Sequence, residues 1–277
     1  MLEVADVNVD PRHWIGGERV ASADTFEDLS PIDGTVLGQV VRGGQAEADA
    51  AVAAAQDAFP SWARMGARAR GEILHRVADL VEQRLEDFAQ LETRDNGSLL
   101  RSHRRGVMPR VAMNIRFFAE YAVNDLKHPE FETRGHTNVV SWDPAGVTAI
   151  VTPWNAPLML ATWRIGPALA AGDTVVLKPP EWAPLTASLF ADITAEAGMP
   201  PGVFNVVQGI GTEAGAALVS HPGVARIAFT GSVPTAKAVA RAAADNLTPL
   251  SFELGGKSPT IIMDDADLGL AAEIAAE

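Results

Sequence analysis

The chain has 277 residues, 47% of them hydrophobic and 21% charged, a balance that fits one large α/β domain or two smaller ones and excludes an extended disordered chain. Its net charge of −13 opposes a phosphate backbone, so nucleic acid is excluded as a partner. It has no cysteine, which excludes disulfides, thiolate metal sites and cysteine catalysis by these residues.

Residues 1–6 are acidic and lack the basic, then apolar, pattern of a signal peptide. The longest apolar stretch, residues 157–172, is broken by Arg164 and is too short to span a bilayer. A cytoplasmic protein without membrane contact is expected. Residues 1–45 read as short strands and turns, with Gly16-Gly17 and Asp33-Gly34 as turn dipeptides. Residues 46–59 are alanine-rich and predict a helix. Residues 70–96 predict one longer helix, because Ile73, Leu74, Val77, Leu80, Val81, Leu85 and Phe88 recur at helical spacing. Gly97 is its expected stop. Residues 107–123 predict a third helix with Phe117, Phe118 and Tyr121 in the core. Residues 124–143 are polar, with 139–142 as one arm of a hairpin.

From Gly146 the texture alternates. Strands are expected at 147–151, 174–177, 203–207 and 225–229, and helices at 157–171, 185–197, 213–220 and 235–244. The fold class that follows is α/β, a doubly wound, mainly parallel sheet with an N-terminal helical region. Such a sheet binds ligands at the carboxyl ends of its strands. An alanine-rich helix is expected over 268–277.

Each chemical motif follows a strand. After the first stands Thr152-Pro153-Trp154-Asn155-Ala156-Pro157. Two prolines fix the loop, and a held Asn155 amide can donate to an oxyanion. A plain turn asparagine is the competing reading. The second strand ends in Lys178-Pro179-Pro180-Glu181. A carboxylate there can accept both hydroxyls of a ribose and repel a 2′-phosphate. A solvated charge pair is the alternative. The third ends in Gln208-Gly209-Ile210-Gly211-Thr212-Glu213-Ala214-Gly215, a glycine-rich turn one residue longer than the usual dinucleotide fingerprint. The fourth ends in Phe229-Thr230-Gly231-Ser232, where the N–H groups of the next helix can hold a pyrophosphate. Glu253, before Gly255-Gly256, is a candidate general base or a solvated residue beside a turn. The six histidines lack metal-ligand spacing and are expected at the surface, and no metal site is expected.

Taken in order, Pro153-Trp154-Asn155, Lys178-Pro179-Pro180-Glu181, Gly209-Ile210-Gly211, Phe229-Thr230-Gly231-Ser232 and Glu253-Leu254-Gly255-Gly256-Lys257-Ser258-Pro259 resemble the aldehyde dehydrogenase superfamily. The likeness runs from Trp14-Ile15-Gly16-Gly17 to Asp264-Asp265-Ala266-Asp267. The stretches 114–121 and 156–163 are similar to hydroxymuconic-semialdehyde-type members. The resemblance implies NAD as cofactor and a small aldehyde as substrate, oxidised through a cysteine thioester. It implies that Asn155 holds the oxyanion and Glu253 activates the deacylating water. Lys178 and Glu181 are then placed on the adenosine ribose. Thr152, Pro153, Trp154, Gly211, Gly215, Phe229, Thr230, Gly231, Ser232, Thr235, Leu254 and Gly255 are placed along the dinucleotide.

The same resemblance implies strands and helices of the NAD-binding domain over 1–123 and an oligomerisation hairpin over 124–143. It implies a Rossmann-like core over 144–254 and the start of a catalytic domain over 255–277. A homodimer or homotetramer is the implied assembly. The family's cysteine lies beyond Glu253, so the chain is expected to be the amino-terminal part of a longer enzyme, inactive alone. The alternatives are a short form that binds nucleotide or partner subunits without catalysis, and a structural oligomerisation piece.

Overall fold

Strands buried on both faces explain the mostly apolar runs after residue 146. The computed structural model describes residues 1–126 and 128–276. Strands β9 (Val147–Val151), β10 (Thr174–Lys178) and β11 (Phe204–Val206) are almost wholly buried, and β12 (Arg226–Gly231) is buried at its centre. With β13 (Leu250–Leu254) they form a parallel sheet in the order β13-β12-β9-β10-β11. From β9 the chain winds outward to β10 and β11, then returns to place β12 on the other side. The strand order therefore reverses between β9 and β12, the position where such sheets open a crevice.

The expected short strands near the start form three antiparallel pairs. These are β1 (Leu2–Val4) with β2 (Val7–Val9), β3 (His13–Ile15) with β4 (Glu18–Val20), and β5 (Thr25–Leu29) with β6 (Val36–Val41). β3 joins the main sheet antiparallel to β11, with Trp14 opposite Val206.

Helices cover both faces. α6 (Pro157–Ala171) and α7 (Leu185–Glu196) lie on one face, backed by α2 (Ala67–Gln83), α3 (Leu85–Asn96) and α5 (Met108–Asn124). α1 (Gln45–Arg64), α8 (Ala216–Ser220) and α9 (Val233–Ala244) cover the other. A short α4 (Leu100–Ser102) and a π-helical turn, His103–Val107, lead into α5. α10 (Leu268–Ala276) follows thirteen residues, 255–267, that form no strand or helix. No helix among the described residues is long and apolar enough to cross a membrane.

Several expectations are corrected. α1 runs through Pro60 to Arg64, because Trp62 is fully buried and its indole N–H donates to the Leu169 carbonyl at 3.2 Å. The helix expected over 70–96 breaks at Arg84, whose φ of −106° and ψ of 24° leave the helical region. α2 packs its Ile73–Val81 stripe chiefly on α5, and α2 and α3 both reach α7. Gly97 ends α3 in the left-handed region, as expected. Phe117 and Tyr121 are exposed rather than in the core, and Phe118 is half-buried. The buried stripe of α5 is Met108, Val111, Ala112, Ile115 and Ala119, so Phe117 and Tyr121 stack on each other outside, 6.1 Å apart. The hairpin pairs β7 (Glu130–Thr133) with β8 (His136–Val139), and residues 140–142 lie beyond it. Its register is set by Arg134 and Gly135, both at positive φ in a two-residue turn. Two histidines are buried. His13 accepts the Gln208 N–H at 3.0 Å on Nδ1 and bonds Ser22 through Nε2 at 2.6 Å, and burial lowers its pKa to about 4.

Three buried acids mark the α3 side of the core. Burial raises Glu92 to about 7, although the Thr186 hydroxyl and Leu158 N–H oppose it. Burial raises Asp95 well above the carboxylate range, reinforced by Asp28, and burial raises Asp28 as well. His103 Nδ1 lies 3.8 Å from Glu92 Oε1. A carboxyl with a raised folded pKa holds its proton in the folded state while the unfolded state ionises. Its contribution is therefore present below the unfolded value and is lost as pH rises through the folded one. Glu92→Gln removes that loss. The stability of Glu92→Gln relative to the parent should therefore climb by about 3 kcal/mol between pH 4.5 and pH above 7. Urea unfolding of both proteins across that range checks this, and a pH-independent difference would contradict it.

Candidate functional site

The site is assembled from four strand ends at the sheet's reversal point. β9 runs into Thr152, whose N–H donates to the Lys178 carbonyl at 3.4 Å, and Pro157 starts α6 two residues after Asn155. β10 ends in Lys178, which is 1% exposed. Its ammonium meets Glu181 Oε2 at 2.8 Å, so the pair is not the solvated one that the sequence left open. Burial lowers the lysine pKa, and Glu181 partly restores it. Burial would raise the Glu181 carboxyl, but the Lys178 charge and hydrogen bonds outweigh it and hold the group below its ordinary value. Glu181 is therefore an anion at neutral pH, with Oε1 3.5 Å from the Gly211 N–H.

After β11 the chain makes a π-helical turn, Gly211–Gly215, where an ordinary helix start was expected at Glu213. Gly209 has φ of +141°, and a Cβ there would lie 2.9 Å from the Gly43 carbonyl oxygen. The first glycine of this loop thus serves its packing on Gly43. At the end of β12, a Cβ on Gly231 would lie 2.6 Å from the Phe229 ring, so a side chain there would have to displace that ring. Ser232 caps α9. Its Oγ accepts the Thr235 N–H at 3.3 Å and lies 2.9 Å from Thr235 Oγ1. Pro234 has no N–H, so the two hydroxyls replace much of what a bare helix start offers an anion.

These ends enclose a cavity of about 610 Å³. Thr152, Pro153, Trp154, Lys178, Glu181, Gly211, Gly215, Phe229, Thr230, Gly231, Ser232 and Thr235 all line it. Leu254 and Gly255, expected with them, do not; both are exposed at and just beyond the end of β13. Asn155 and Glu253 also stand outside it. Side chains alternate along β13. Phe252 faces α9's side and packs edge-on to Phe229, 6.1 Å away, so Glu253 points to the opposite face. There Arg164 of α6 meets its carboxylate at 3.2 Å. Asn155 is exposed and its amide has no partner among the described residues.

Sequence reasoning missed the cavity's apolar wall. Val219 of α8 and Ala238, Val239 and Ala242 of α9 supply it, with Trp182 beside Glu181. The spacing of 238, 239 and 242 marks a helix face, but nothing in the sequence separates a face turned to a ligand from one turned to the core. The donor set suits a dinucleotide. Apolar walls fit a flat ring, an anion fits a diol, and glycine backbone with hydroxyls fits a pyrophosphate. Thr152 lines the cavity, and its buried Oγ1 has no hydrogen-bond partner among the described residues. Among the described residues no group of three or more His, Asp or Glu side chains could hold a metal.

Comparison with known proteins adds the family. A model described as the aldehyde dehydrogenase family matches residues 19–277. The chain is 42% identical over 265 residues to the 5-carboxymethyl-2-hydroxymuconate semialdehyde dehydrogenase of Escherichia coli, covering 95% of this chain and 56% of that one. It is 44% identical over 274 residues to the 2-hydroxymuconic semialdehyde dehydrogenase of Pseudomonas sp. strain CF600, covering 95% and 56%. An indole-3-acetaldehyde dehydrogenase of P. syringae, solved in complex with NAD+, superposes with a TM-score of 0.94 at 39% identity, covering 98% of this chain and 56% of that one. The chain spans about half the length of the curated relatives it matches.

Proposed function

The chain belongs to the aldehyde dehydrogenase family, and from that premise we propose that it supplies the NAD-binding fold, the oxyanion donor and the general base for oxidation of an aldehyde to an acid. The observation that carries this reading is the single cavity that gathers Lys178, Glu181, Gly211, Phe229, Gly231 and Ser232 at the reversal point of the sheet. The relatives favour an unsaturated semialdehyde as substrate. Bound NAD supplies the acceptor for the hydride that leaves the substrate carbon. Glu181 accepts the ribose hydroxyls, and Lys178 keeps its carboxylate ionised and aimed. Ser232 and Thr235 donate to the pyrophosphate, and the α8–α9 wall excludes water from the ring. Asn155 donates its amide to the oxygen that gains charge when the carbonyl is attacked. Glu253 takes the proton of the water that releases the acyl group. The exposed hairpin β7–β8, with Phe131 and Val139 uncovered, is read as the surface for a further copy of the protein.

The 277 residues contain no thiol, so the nucleophile of the proposed chemistry is not among them. That same observation favours a second reading, a nucleotide-binding module without catalysis. One experiment addresses both. The chain mixed with NAD and a semialdehyde should give no NADH above background. A hybrid joining it to the carboxyl-terminal half of the Pseudomonas relative should turn over. Turnover by the pure chain contradicts the proposed division of labour, and a folded but inactive hybrid favours the module.

Charge at Glu181 sets the cofactor. A fixed anion against the ribose repels a 2′-phosphate, so NAD should bind at least about tenfold more tightly than NADP. Glu181→Ser should narrow that ratio. Competitive titration of the two nucleotides reads it, and equal affinities for the unmodified chain contradict the assignment.

A further inference from the structure

Helices α6 and α7 begin directly after the loops that carry Asn155 and Glu181, and neither starts with a capping side chain. Ala156 precedes α6 and Pro184 precedes α7, and neither makes a side-chain cap. N–H groups left bare in a buried first turn are costly. Their acceptors come from a third helix. Asp95 Oδ2, on α3, accepts the Leu185 N–H at 2.9 Å. One turn earlier on the same helix, Glu92 Oε2 accepts the Thr186 hydroxyl at 2.8 Å and, more loosely, the Leu158 N–H at 3.4 Å. Leu158 lies in the first turn of α6, and Leu185 and Thr186 in the first turn of α7. Glu92 and Asp95 are fully buried at 0% exposure, yet neither lines the nucleotide cavity. Buried acids are expensive unless such bonds are made.

We propose that Glu92 and Asp95 are positioning residues that cap α6 and α7 from outside, and so fix the separation between the oxyanion loop at Asn155 and the ribose loop at Glu181. The inference rests on the functional reading of those two loops. It gives α3, far along the chain from every recognised motif, a part in cofactor affinity.

Three variants of the full chain test it, by amide hydrogen exchange and by calorimetric titration with NAD. Glu92→Leu removes the acceptor. Glu92→Gln keeps an oxygen that can accept the same two donors. Leu74→Ala, at a buried site of α2 that makes neither bond, is a control that lowers stability without touching the caps. In Glu92→Leu, amides at the starts of α6 and α7 should exchange about tenfold faster than in the parent, and NAD should bind about tenfold more weakly. Glu92→Gln should restore both. Leu74→Ala should speed exchange across the whole core and leave NAD affinity within about twofold. The inference is overturned if Glu92→Leu and Leu74→Ala give the same exchange pattern, or if the helix starts loosen and NAD affinity does not change. If Glu92→Leu does not fold, Thr186→Val, which deletes one hydroxyl, takes its place with both readouts. If the unmodified chain takes up no NAD, the functional reading fails, and the exchange pattern alone decides whether α3 caps the loops.

Discussion

Replacing Glu253 with Gln in a hybrid carrying the carboxyl-terminal half of a relative should slow steady turnover by roughly 10²–10⁴-fold while sparing one rapid burst of NADH. The amide keeps the size of the side chain and much of its hydrogen bonding but accepts no proton. If Glu253 activates the water that releases the acyl group, hydride has already left before the damaged step. The ratio of burst to steady rate should then rise sharply. Arg164 sharpens the expectation. Its guanidinium meets the Glu253 carboxylate at 3.2 Å, and Gln at 253 removes that ion pair as well as the base. Exposed as the glutamate is, the pair contributes little to stability. A residue with only a structural role would change stability and leave the burst ratio where it was. An unchanged ratio in a folded variant removes Glu253 from the mechanism. Arg164→Ala in the same hybrid separates loss of the pair from loss of the base.

Asn155→Ala should act on the other side of hydride transfer. The oxyanion forms when the carbonyl is attacked, before any NADH appears. Loss of one preformed donor costs on the order of 10²–10³-fold. The burst itself should slow by that factor, with NAD affinity little changed, because Asn155 does not line the nucleotide cavity. The exposed, unpartnered amide is what makes the variant clean, since its removal breaks no bond among the described residues. Stopped-flow mixing of hybrid, NAD and aldehyde reads the burst directly. A normal burst with slow steady turnover would move Asn155 to deacylation and contradict its assignment.

Much of this was legible because parallel strands announce themselves. Runs such as Val147–Val151 are mostly apolar since both faces are covered, and the residues that follow each run fall at one edge of the sheet. Twelve of the residues that the family resemblance placed along a dinucleotide line the cavity at that edge. Leu254 and Gly255 lie outside the cavity, because continuity with Glu253 in sequence says nothing about where an exposed strand end points. The break at Arg84 was hidden because the apolar stripe continues in phase through Leu85 and Phe88. Phe117 and Tyr121 read as core because aromatic character outweighed their place on the helix wheel. Nothing in the sequence singles out Glu92 and Asp95, since their partners are the starts of helices more than sixty residues away.

Calorimetric titration of the unmodified 277-residue chain with NAD tests the central claim most directly, with Gly231→Val as its companion. The cleft at the reversal of the sheet should bind one NAD per chain with saturable heat. Gly231→Val should lose most of that affinity, because a side chain there drives into the Phe229 ring, which lines the cavity. Absence of saturable binding by the folded chain, or equal affinity in the folded Gly231→Val variant, would contradict the account.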